Sequence, residues 1–540
     1  MRVRCVRSLP RLIALPACLA MLAASATGGE NRRDETGAAQ SQWPENATHA
    51  GLIADADKSV ADAAARVAKD RFRPAYHFLC ASRFMNDPNG CVQFDGAYHM
   101  FYQHIPYMDV PNAPTRVGWG HAVSRDLVHW EHRPIALMPG PGVSEPEVVA
   151  SGCCVISDGM PTIVYTGVLP SGQVQSLARS FDGMHTWRRF AGNPVIPKPP
   201  VIAGLEDGFR DPFVWREGDR WRLIVGSGIR GTGGTVLLYE SPDLLSWEFL
   251  GPLCTGMGAD CFQWECPNFF KLGDHWVLVV SPLLHSIPSL RGPVQYAVGR
   301  YDGRRFEPGP WHTMDLGGPG VFYAPNSLED DRGRRIQWGW LMGGGEPGMP
   351  WNGLLTMPRQ LELGPDLRLR IAPVEEVDSL RGTLLADRSE QVLTPGEPLD
   401  LCRGTQLDAV VELRRSPQGR VKLELFRSTT GDSATTIVFD FATGRLSCGE
   451  QNGVVTLGDG GTLTLRVLVD RSVIEVYADR RAIMSLRAYP SQGADGFRLV
   501  AEESLVHLSR VRAWQMNSIW NLRNAAPTPS NAQTGRAISP

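Results

Sequence analysis

The chain has 540 residues, of which 43% are hydrophobic and 21% charged, and its formal net charge is −3. This length predicts more than one domain, and the composition is that of a soluble globular protein rather than a disordered chain. A nearly neutral chain without a long run of Lys or Arg lacks the basic surface that binds nucleic-acid phosphates, so that class of function is excluded.

The first 26 residues have the pattern of a secretory signal peptide. Four arginines flank or precede an apolar stretch from Leu12 to Ala24, and residues 24–26 have the small-x-small form of a signal-peptidase site. The stretch is too short for a stable membrane span, and no other segment could serve as one. We therefore expect a secreted or periplasmic protein. A lipid anchor at Cys18 is the less favoured alternative, because Pro16 fits a lipoprotein signal badly.

Cysteine usage predicts no zinc site. Of the eleven cysteines, nine would remain after cleavage, and none of them forms a CxxC pair. Export permits disulfides, and Cys80–Cys91 and Cys254–Cys261 are candidate pairs, although sequence cannot fix the pairing. The odd number predicts at least one free thiol, for which Cys266 is a candidate.

The pattern of the chain changes twice. Residues 27–70 form a polar, Ala-rich segment with a short helical pattern from Ser59 to Lys69, and short β-like runs separated by Gly, Asp and Pro follow from Arg73. We predict a catalytic domain over residues 71–378 and a second domain over residues 388–516. The tail, residues 524–540, is rich in Ala, Pro, Ser and Thr and is predicted to be disordered.

An internal repeat runs through the first of these domains. A Ser-x-Asp turn that ends in Trp occurs at residues 124–130, 180–187 and 241–247, and a degenerate copy lies at residues 301–306. In phase with it, a polar turn opens a strand that leads into a Gly-centred hairpin and an apolar strand. The five copies of this second signature begin at Asp87, Ser151, Asp211, Cys266 and Ala324. Five such units predict a five-bladed β-propeller; a generic sandwich with coincidental hairpins is the alternative.

The second domain alternates apolar and polar residues with period two. Val467 to Tyr477 has the pattern of two strands around Asp470-Arg471. The chain is therefore predicted to be all-β, a five-bladed β-propeller followed by a C-terminal β-sandwich.

Three repeat units open with an acid. These are Asp87 in Asn-Asp-Pro-Asn-Gly, Asp211 in Arg-Asp-Pro, and Glu265 in Glu-Cys-Pro. Each motif alone could be a turn or a solvated side chain. Together, at equivalent places in a repeat, they predict three carboxylates in one funnel. Crowded carboxylates raise one another's pKa, so that one can donate a proton while another attacks, as glycoside hydrolysis requires.

These motifs resemble those of glycoside hydrolase family 32, the family of invertases, inulinases and levanases. Further matching segments are Phe101–Gln103, Trp119–Glu131, Ser151-Gly152, Phe322–Pro325, Met357–Arg359 and, in the second domain, Asp470–Tyr477. The resemblance spans roughly residues 73 to 515.

The resemblance implies a retaining glycosidase that releases fructose from sucrose or from inulin- or levan-type fructans through a covalent fructosyl-enzyme. Asp87 would be the nucleophile, Glu265 the general acid/base, and Asp211 the stabiliser of the transition state. The implied substrate-binding residues are Asn86, Gln103, Trp119, Ser151 and Arg210. Retention requires the carboxyl groups of Asp87 and Glu265 to lie about 5–5.5 Å apart. No metal or organic cofactor is needed, because two carboxylates supply both the nucleophile and the proton transfers.

Several positions depart from the family pattern. The sequence His104-Ile-Pro106 replaces Tyr-Asn-Pro, the loop Tyr107–Val117 lacks a common tryptophan, and Ala150, Val321 and Asn268 replace an aromatic residue and two aspartates. The acids are unaffected, but the pocket wall changes, so the sequence defines the substrate less well than the reaction.

Three other functions are alternatives. A fructosyltransferase would use the same intermediate and pass fructose to a sugar. A non-catalytic sugar-binding protein would have no need of three like charges in one funnel, and an arabinan-acting five-bladed enzyme would not carry these motifs.

Overall fold

A computed structural model describes residues 42–287, 289–343, 349–431, 433–458 and 460–520. The predicted signal peptide, residues 1–26, and the predicted tail, residues 524–540, lie outside the described residues. None of the described helices is long and apolar enough to cross a membrane.

One long helix precedes the strands. Helix α1 (Ala47–Ala68) begins well before the predicted Ser59, because Asn46 caps it by accepting a hydrogen bond from the His49 backbone N–H at 3.0 Å. The helix is fixed to the first sheet: Asp57 accepts a hydrogen bond from the Ile135 N–H at 3.1 Å. The Ala-rich composition of the segment therefore encodes a longer helix than its short apolar pattern suggested.

Residues 83–373 form five sheets. The first three contain β1 (Arg83–Phe94), β2 (Ala97–Ile105), β3 (Gly118–Ser124) and β4 (Trp130–Leu137); β5 (Val148–Ser157), β6 (Met160–Leu169), β7 (Gly172–Arg179) and β8 (Arg188–Arg189); and β9 (Arg210–Glu217), β10 (Arg220–Ile229), β11 (Gly233–Ser241) and β12 (Glu248–Met257). The fourth contains β13 (Cys261–Leu272), β14 (His275–Leu284), β15 (Gln295–Tyr301) and β16 (Phe306–Thr313). The chain then forms β17 (Phe322–Glu329), β18 (Arg335–Leu341), β19 (Trp351–Asn352), β20 (Leu354–Leu355), β21 (Arg359–Leu363) and β22 (Leu369–Pro373). All of these except β19 belong to the fifth sheet.

The first strands of the sheets form a closed circuit. Each of β1, β5, β9 and β13 contacts the first strand of the next sheet, and β17 contacts β1. Strand β19 pairs in parallel with β1, so the segment that leaves the fifth sheet is tied to the first. Sheets arranged around a circuit of first strands are the architecture of a β-propeller, and the chain has that architecture.

The repeated Ser-x-Asp motif forms the turn between the third and fourth strands of a sheet. In three copies the Ser hydroxyl donates to the Asp two residues later, and that Asp accepts a backbone N–H three or more residues further on; the pairs are Ser124–Asp126, Ser180–Asp182 and Ser241–Asp243. In the degenerate copy, Asp302 accepts the N–H of Arg305 at 2.7 Å. The sequence repeat thus has a structural role and lies outside the catalytic chemistry.

A 3₁₀ helix (Glu375–Leu380) leads into a sandwich of two six-stranded sheets. Its strands are β23 (Arg381–Leu393), β24 (Leu399–Arg403), β25 (Gln406–Arg414), β26 (Arg420–Arg427), β27 (Ser433–Asp440), β28 (Arg445–Cys448), β29 (Gln451–Val454), β30 (Thr462–Asp470), β31 (Val473–Ala478), β32 (Ala482–Arg487), β33 (Gly496–Glu502) and β34 (Val506–Met516). The predicted hairpin at Asp470-Arg471 is confirmed, since β30 and β31 pair with Asp470 opposite Val473.

A buried polar network joins the two domains. His77 contacts Asp470 through Nδ1 at 2.9 Å and Glu475 through Nε2 at 3.0 Å. Arg359 donates to Glu475 at 2.8 Å and to Asp315 at 2.9 Å. All five side chains are fully buried.

The nine described cysteines are all free thiols. The candidate disulfides Cys80–Cys91 and Cys254–Cys261 are therefore wrong. These side chains are buried in the core as small apolar groups, and the Cys80 thiol donates to the Ser82 carbonyl at 3.0 Å. Cys266 is free, as predicted.

Candidate active site

Every first strand carries a β-bulge within one position of the same place in the repeat. In each, two residues face one residue of the neighbouring strand: residues 86–87, 150–151, 211–212, 266–267 and 324–325. Asp211, Cys266 and Ala324 adopt positive φ angles of 65°, 45° and 45°. Bulges bend a strand and re-aim its side chains. Because the first strands adjoin one another, the bulges bring side chains from all five sheets to one region.

Asp87 receives three hydrogen bonds there. Its Oδ2 accepts from the Ser151 hydroxyl at 2.7 Å and from the Cys266 thiol at 3.5 Å, and its Oδ1 accepts from the Asn86 amide at 2.9 Å. Burial raises the pKa of Asp87, the Ser151 hydroxyl works against that increase, and the charge of Glu265 adds to it. Asp87 is thus a desolvated carboxylate with its lone pairs held in fixed directions.

Asp211 lies beside it, with only 6% of its surface exposed. Its Oδ2 accepts the Cys266 backbone N–H at 2.9 Å, and its own N–H donates to the Thr166 hydroxyl at 2.9 Å. Burial raises the pKa of Asp211, Arg210 opposes the increase, and the charges of Glu265 and Asp87 raise it further. The Cys266 thiol lies 3.5 Å from Asp87 and 3.6 Å from Asp211, and Glu265 is the residue before Cys266, so the three acids lie in one region.

Glu265 is held from both sides. Its Oε1 accepts from Nε and Nη2 of Arg210 at 2.9 and 2.7 Å, and its Oε2 accepts from the Tyr323 hydroxyl at 2.8 Å. Only about a sixth of its side chain is exposed (17%). A carboxyl group oriented in this way is suited to proton transfer at a fixed position.

The three acids do not occupy identical places in the repeat. Asp87, Asp211 and Cys266 each precede a proline, whereas Glu265 stands one position earlier, where the neighbouring units have Arg210 and Tyr323. The thiol of Cys266 therefore lies where an acid lies in two other units, 3.6 Å from Asp211 Oδ2. Burial and then the charge of Asp211 raise the pKa of Cys266 well above its usual range, so the thiol stays neutral.

Two predicted binding residues lie behind this group. The amide of Gln103, which faces the bulge at 86–87, donates to the Val149 carbonyl at 3.2 Å. Trp119 is 0% exposed, and its Nε1 donates to the Ala150 carbonyl at 2.9 Å. The prediction that Trp119 contacts substrate is not supported, because a side chain without exposed surface supports the strand of Ser151 instead.

Sequence reasoning missed Tyr323. It was seen only as part of the Phe-Tyr-Ala-Pro segment, although it is the fifth unit's counterpart of Glu265 and its hydroxyl contacts that acid. An alignment of the five units, with the residues at the position of Glu265 compared, would have identified it. Burial and the charge of Glu265 raise the pKa of Tyr323 well above its usual value, so its hydroxyl remains a donor.

The site can carry out two-carboxylate chemistry. It offers one carboxylate with three donors, Asp87, a second whose two oxygens are held by Arg210 and Tyr323, Glu265, and a third bonded to the Cys266 N–H, Asp211. Among the described residues, no group of three or more His, Cys, Asp or Glu side chains is placed to hold a metal ion. Paired carboxyl groups of this kind are the functional groups of glycoside hydrolysis.

Comparisons with known proteins agree with this chemistry. The sequence model of the Glycosyl hydrolases family 32 N-terminal domain matches residues 77–373, and that of the Glycosyl hydrolases family 32 C terminal matches residues 376–515. The chain is 32% identical over 468 residues to a sucrose-6-phosphate hydrolase of Escherichia coli, covering 82% of this chain and 95% of the relative. It is 31% identical over 503 residues to a levanase of Bacillus subtilis, covering 83% of this chain and 71% of the relative.

Solved structures show the same architecture. A β-fructofuranosidase mutant of Bombyx mori in complex with sucrose superposes with a TM-score of 0.73 at 27% identity, covering 88% of this chain and 99% of that one. An exo-inulinase from Aspergillus awamori superposes with a TM-score of 0.72 at 26% identity, covering 84% of this chain and 99% of that one.

Proposed function

The chain belongs to glycosyl hydrolase family 32, and from this we propose that it cleaves β-fructosides, with Asp87 as nucleophile and Glu265 as general acid/base. It is a glycosidase that hydrolyses β-fructosides, as its relatives of this family do. Sucrose and fructans of the inulin or levan type are the proposed substrates.

The observation that supports these roles most directly is the different bonding of the two carboxyl groups. Asp87 is surrounded by three uncharged donors, which stabilise its ionised form without adding positive charge. Glu265 instead meets a guanidinium and a phenol, which hold its carboxyl group in one orientation. These contacts support Asp87 as the group that attacks and Glu265 as the group that transfers the proton.

In the first step the Asp87 carboxylate attacks the anomeric carbon of the fructosyl unit. Glu265 gives its proton to the glycosidic oxygen as the bond to that oxygen breaks, which leaves fructose esterified to Asp87. In the second step Glu265 takes a proton from water, the water oxygen attacks the anomeric carbon, and the ester bond to Asp87 breaks. Asp211 stabilises the positive charge that develops on the ring in both steps.

Arg210 has two roles in this proposal. In the unliganded site it pairs with Glu265 at 2.7 Å and holds that carboxyl group in place. A sugar hydroxyl that takes over one of its N–H groups would bring Arg210 into contact with the bound fructosyl unit. Asn86 and Ser151 would contact the fructosyl unit as well as Asp87.

We would test the proposal by incubating the protein with sucrose, sucrose-6-phosphate, inulin and levan, and following the products over time. The parent protein should release free fructose from at least one of them. Glu265→Gln should lower the rate by about 10²- to 10⁴-fold, and Asp87→Asn should abolish it. With methanol as acceptor, the product should be the methyl β-fructoside, because two displacements retain configuration.

The outcomes separate the alternatives. Larger transfer products in place of free fructose would identify a transferase. Binding of all four sugars without turnover would identify a non-catalytic sugar-binding protein. Full activity in Asp87→Asn would contradict the assigned roles.

A further inference from the structure

Arg291 lies next to the catalytic group, on the connection between β14 and β15. It forms an isolated antiparallel bridge with Leu283, and the N–H of the following residue, Gly292, donates to the Pro282 carbonyl at 2.8 Å. The backbone of Arg291 is therefore fixed against the end of β14.

The guanidinium of Arg291 lies over two aromatic rings. Its Cζ is 5.5 Å from the ring centroid of Tyr323 and 5.6 Å from that of Trp340, and these two residues stand opposite each other on β17 and β18. Both distances are within the reach of a cation–π interaction. Among the described residues no carboxylate pairs with Arg291, and its Nε is buried without a hydrogen-bond partner. The two rings are thus the contacts that the structure gives to this charge.

Tyr323 connects the charge of Arg291 to the general acid/base. The Tyr323 hydroxyl lies 2.8 Å from Glu265 Oε2, 3.2 Å from the Ser281 carbonyl and 3.5 Å from the Pro282 carbonyl. A hydroxyl has one proton to donate, and the carboxylate is both the nearest and the only charged acceptor of the three. The proton is therefore directed at Glu265.

A positive charge over the ring makes this hydroxyl a stronger donor. Burial and the charge of Glu265 raise the pKa of Tyr323, and Arg291 opposes that increase. A phenol whose O–H bond is polarised in this way forms a stronger hydrogen bond to an anion. The effect is largest once the carboxyl group of Glu265 carries its full negative charge, which is after its proton has left.

We propose that Arg291 is a positioning residue for the acid step, which acts on Glu265 through the ring and hydroxyl of Tyr323. The inference rests on the proposed role of Glu265 as general acid. As Glu265 gives its proton to the glycosidic oxygen, negative charge develops on its carboxyl group, and the Tyr323 hydroxyl stabilises that charge more than it stabilises the neutral acid. An interaction that is stronger in the transition state than before it lowers the barrier.

The contribution of Arg291 depends on the leaving group. Sucrose and methyl β-D-fructofuranoside lose their leaving groups only if the glycosidic oxygen receives a proton, whereas p-nitrophenyl β-D-fructofuranoside releases a stable anion without one. Methanol is not a sugar. A loss that the methyl fructoside shares with sucrose therefore does not come from a contact between Arg291 and a leaving sugar.

The test compares kcat/KM of the full-length protein and its variants on these three substrates, since kcat/KM includes the step in which Glu265 acts as the acid. We expect Arg291→Gln to lower kcat/KM on sucrose and the methyl fructoside by about 2- to 30-fold, the range that cation–π contacts span. Its kcat/KM on the p-nitrophenyl fructoside should stay unchanged. Arg291→Lys, which keeps the charge, should retain most of the parent's kcat/KM on all three.

A double-mutant cycle tests the route through Tyr323. Tyr323→Phe keeps the ring and removes the hydroxyl, so adding Arg291→Gln to it should cause no further loss. Arg216→Gln is the matched control, because Arg216 is an exposed arginine whose Cζ lies 4.9 Å from the Trp221 ring, at the far end of β9 from Arg210. Its kcat/KM should equal that of the parent on every substrate.

The outcomes keep this inference apart from the proposed function. Equal losses on the methyl and p-nitrophenyl fructosides, the same loss with and without the Tyr323 hydroxyl, or a loss in Arg291→Lys as large as that in Arg291→Gln would overturn the inference and leave the proposed function standing. A parent protein that cleaves no β-fructoside, or a Glu265→Gln variant with full activity on sucrose, would overturn the proposed function and this inference with it.

Discussion

At the scale of single residues, the site depends on a one-position offset. The residue before the proline contacts its counterparts in other units, since Cys266 donates hydrogen bonds to both Asp87 and Asp211. The residues one position earlier form a second group of contacting side chains, in which Arg210 and Tyr323 both donate to Glu265. The nucleophile and the acid therefore have different neighbours although they lie at the same end of equivalent strands.

The hydroxyl of Ser151 gives a prediction about pH dependence. Burial raises the pKa of Asp87, and Asp87 must be ionised to attack, so kcat/KM should fall as the pH drops through a value above the ordinary Asp range of about 3.9. Ser151→Ala removes a donor that favours the ionised form. The acidic limb of the profile should then move to higher pH by about one unit.

Ser281→Ala is the control for that measurement. The Ser281 hydroxyl accepts the Ala324 N–H and has no hydrogen bond to a carboxylate among the described contacts. The acidic limb of the pH profile of Ser281→Ala should coincide with that of the parent. An unmoved limb in Ser151→Ala would show that this hydroxyl does not stabilise the Asp87 carboxylate.

Asp87 and Asp211 could be predicted because a repeat places residues of equal phase at one end of adjoining strands, and Glu265 lies one position from that phase. Trp119 could not be assigned correctly, because a motif does not reveal whether a ring faces the cavity or the core. Tyr323 was missed since an aromatic residue in a buried strand has the pattern of core packing until its hydroxyl is seen to contact Glu265.

At the scale of elements, the Ser-x-Asp motif stabilises the turn between the third and fourth strands of a sheet. Asp243 accepts the N–H groups of Leu245 and Ser246 at 2.9 Å each and the Ser241 hydroxyl at 3.1 Å. These bonds end the third strand and start the fourth, and the same arrangement recurs in neighbouring sheets. The sequence therefore predicted the repeated turn, whereas α1 was underestimated, because its start depends on the cap at Asn46 rather than on apolar periodicity.

Asp243→Ala should lower the free energy of unfolding by about 1–2 kcal/mol, because two backbone donors lose their acceptor. Asp302→Ala should cost less, because Asp302 accepts the exposed N–H groups of Arg304 and Arg305, whereas Asp243 also accepts the hydroxyl of the buried Ser241. Urea denaturation of both variants beside the parent measures the difference. Equal losses of unfolding free energy in the two variants would mean that the repeated turn stabilises the protein no more than the degenerate turn does.

At the scale of the whole molecule, the buried network makes propeller and sandwich depend on each other. Arg359 and His77 come from the propeller side, whereas Asp470 and Glu475 come from the sandwich. Removing one partner while the others stay buried would leave an uncompensated charge, which costs about 3–5 kcal/mol. The period-two pattern of the second domain predicted its sandwich, but no local pattern could predict a network whose members are hundreds of residues apart.

The network predicts how stability changes with pH. Although burial alone would lower it, the hydrogen bonds that His77 donates to Asp470 and Glu475 raise its pKa from 6.5 to about 9. The stability that His77 contributes is thus complete below pH 6.5 and is lost as the pH rises towards 9. Burial opposes the ionisation of Glu475, but Arg359 and His77 favour it and lower the pKa of Glu475 from 4.5 to about 2. The stability that Glu475 contributes is therefore complete above pH 4.5. Both contributions are complete between pH 4.5 and 6.5.

We therefore expect Tm of the parent to fall between pH 6.5 and 9, with a loss of the order of 3 kcal/mol from this group. His77→Gln should start lower and show a flatter curve over that interval. Calorimetry of both proteins across this range checks the expectation. Parallel curves would show that other groups cause the fall.

The five bulges have a consequence for how such an enzyme can change. Each first strand forms its bulge with different side chains. The backbone geometry of the bulge therefore does not depend on one residue type at these positions. Ala150 and Ala324 occupy such positions without contributing a functional group. New reactivity could therefore be introduced by replacing side chains on a frame that is already in place, and a lineage built in this way can diversify its chemistry while its architecture stays constant.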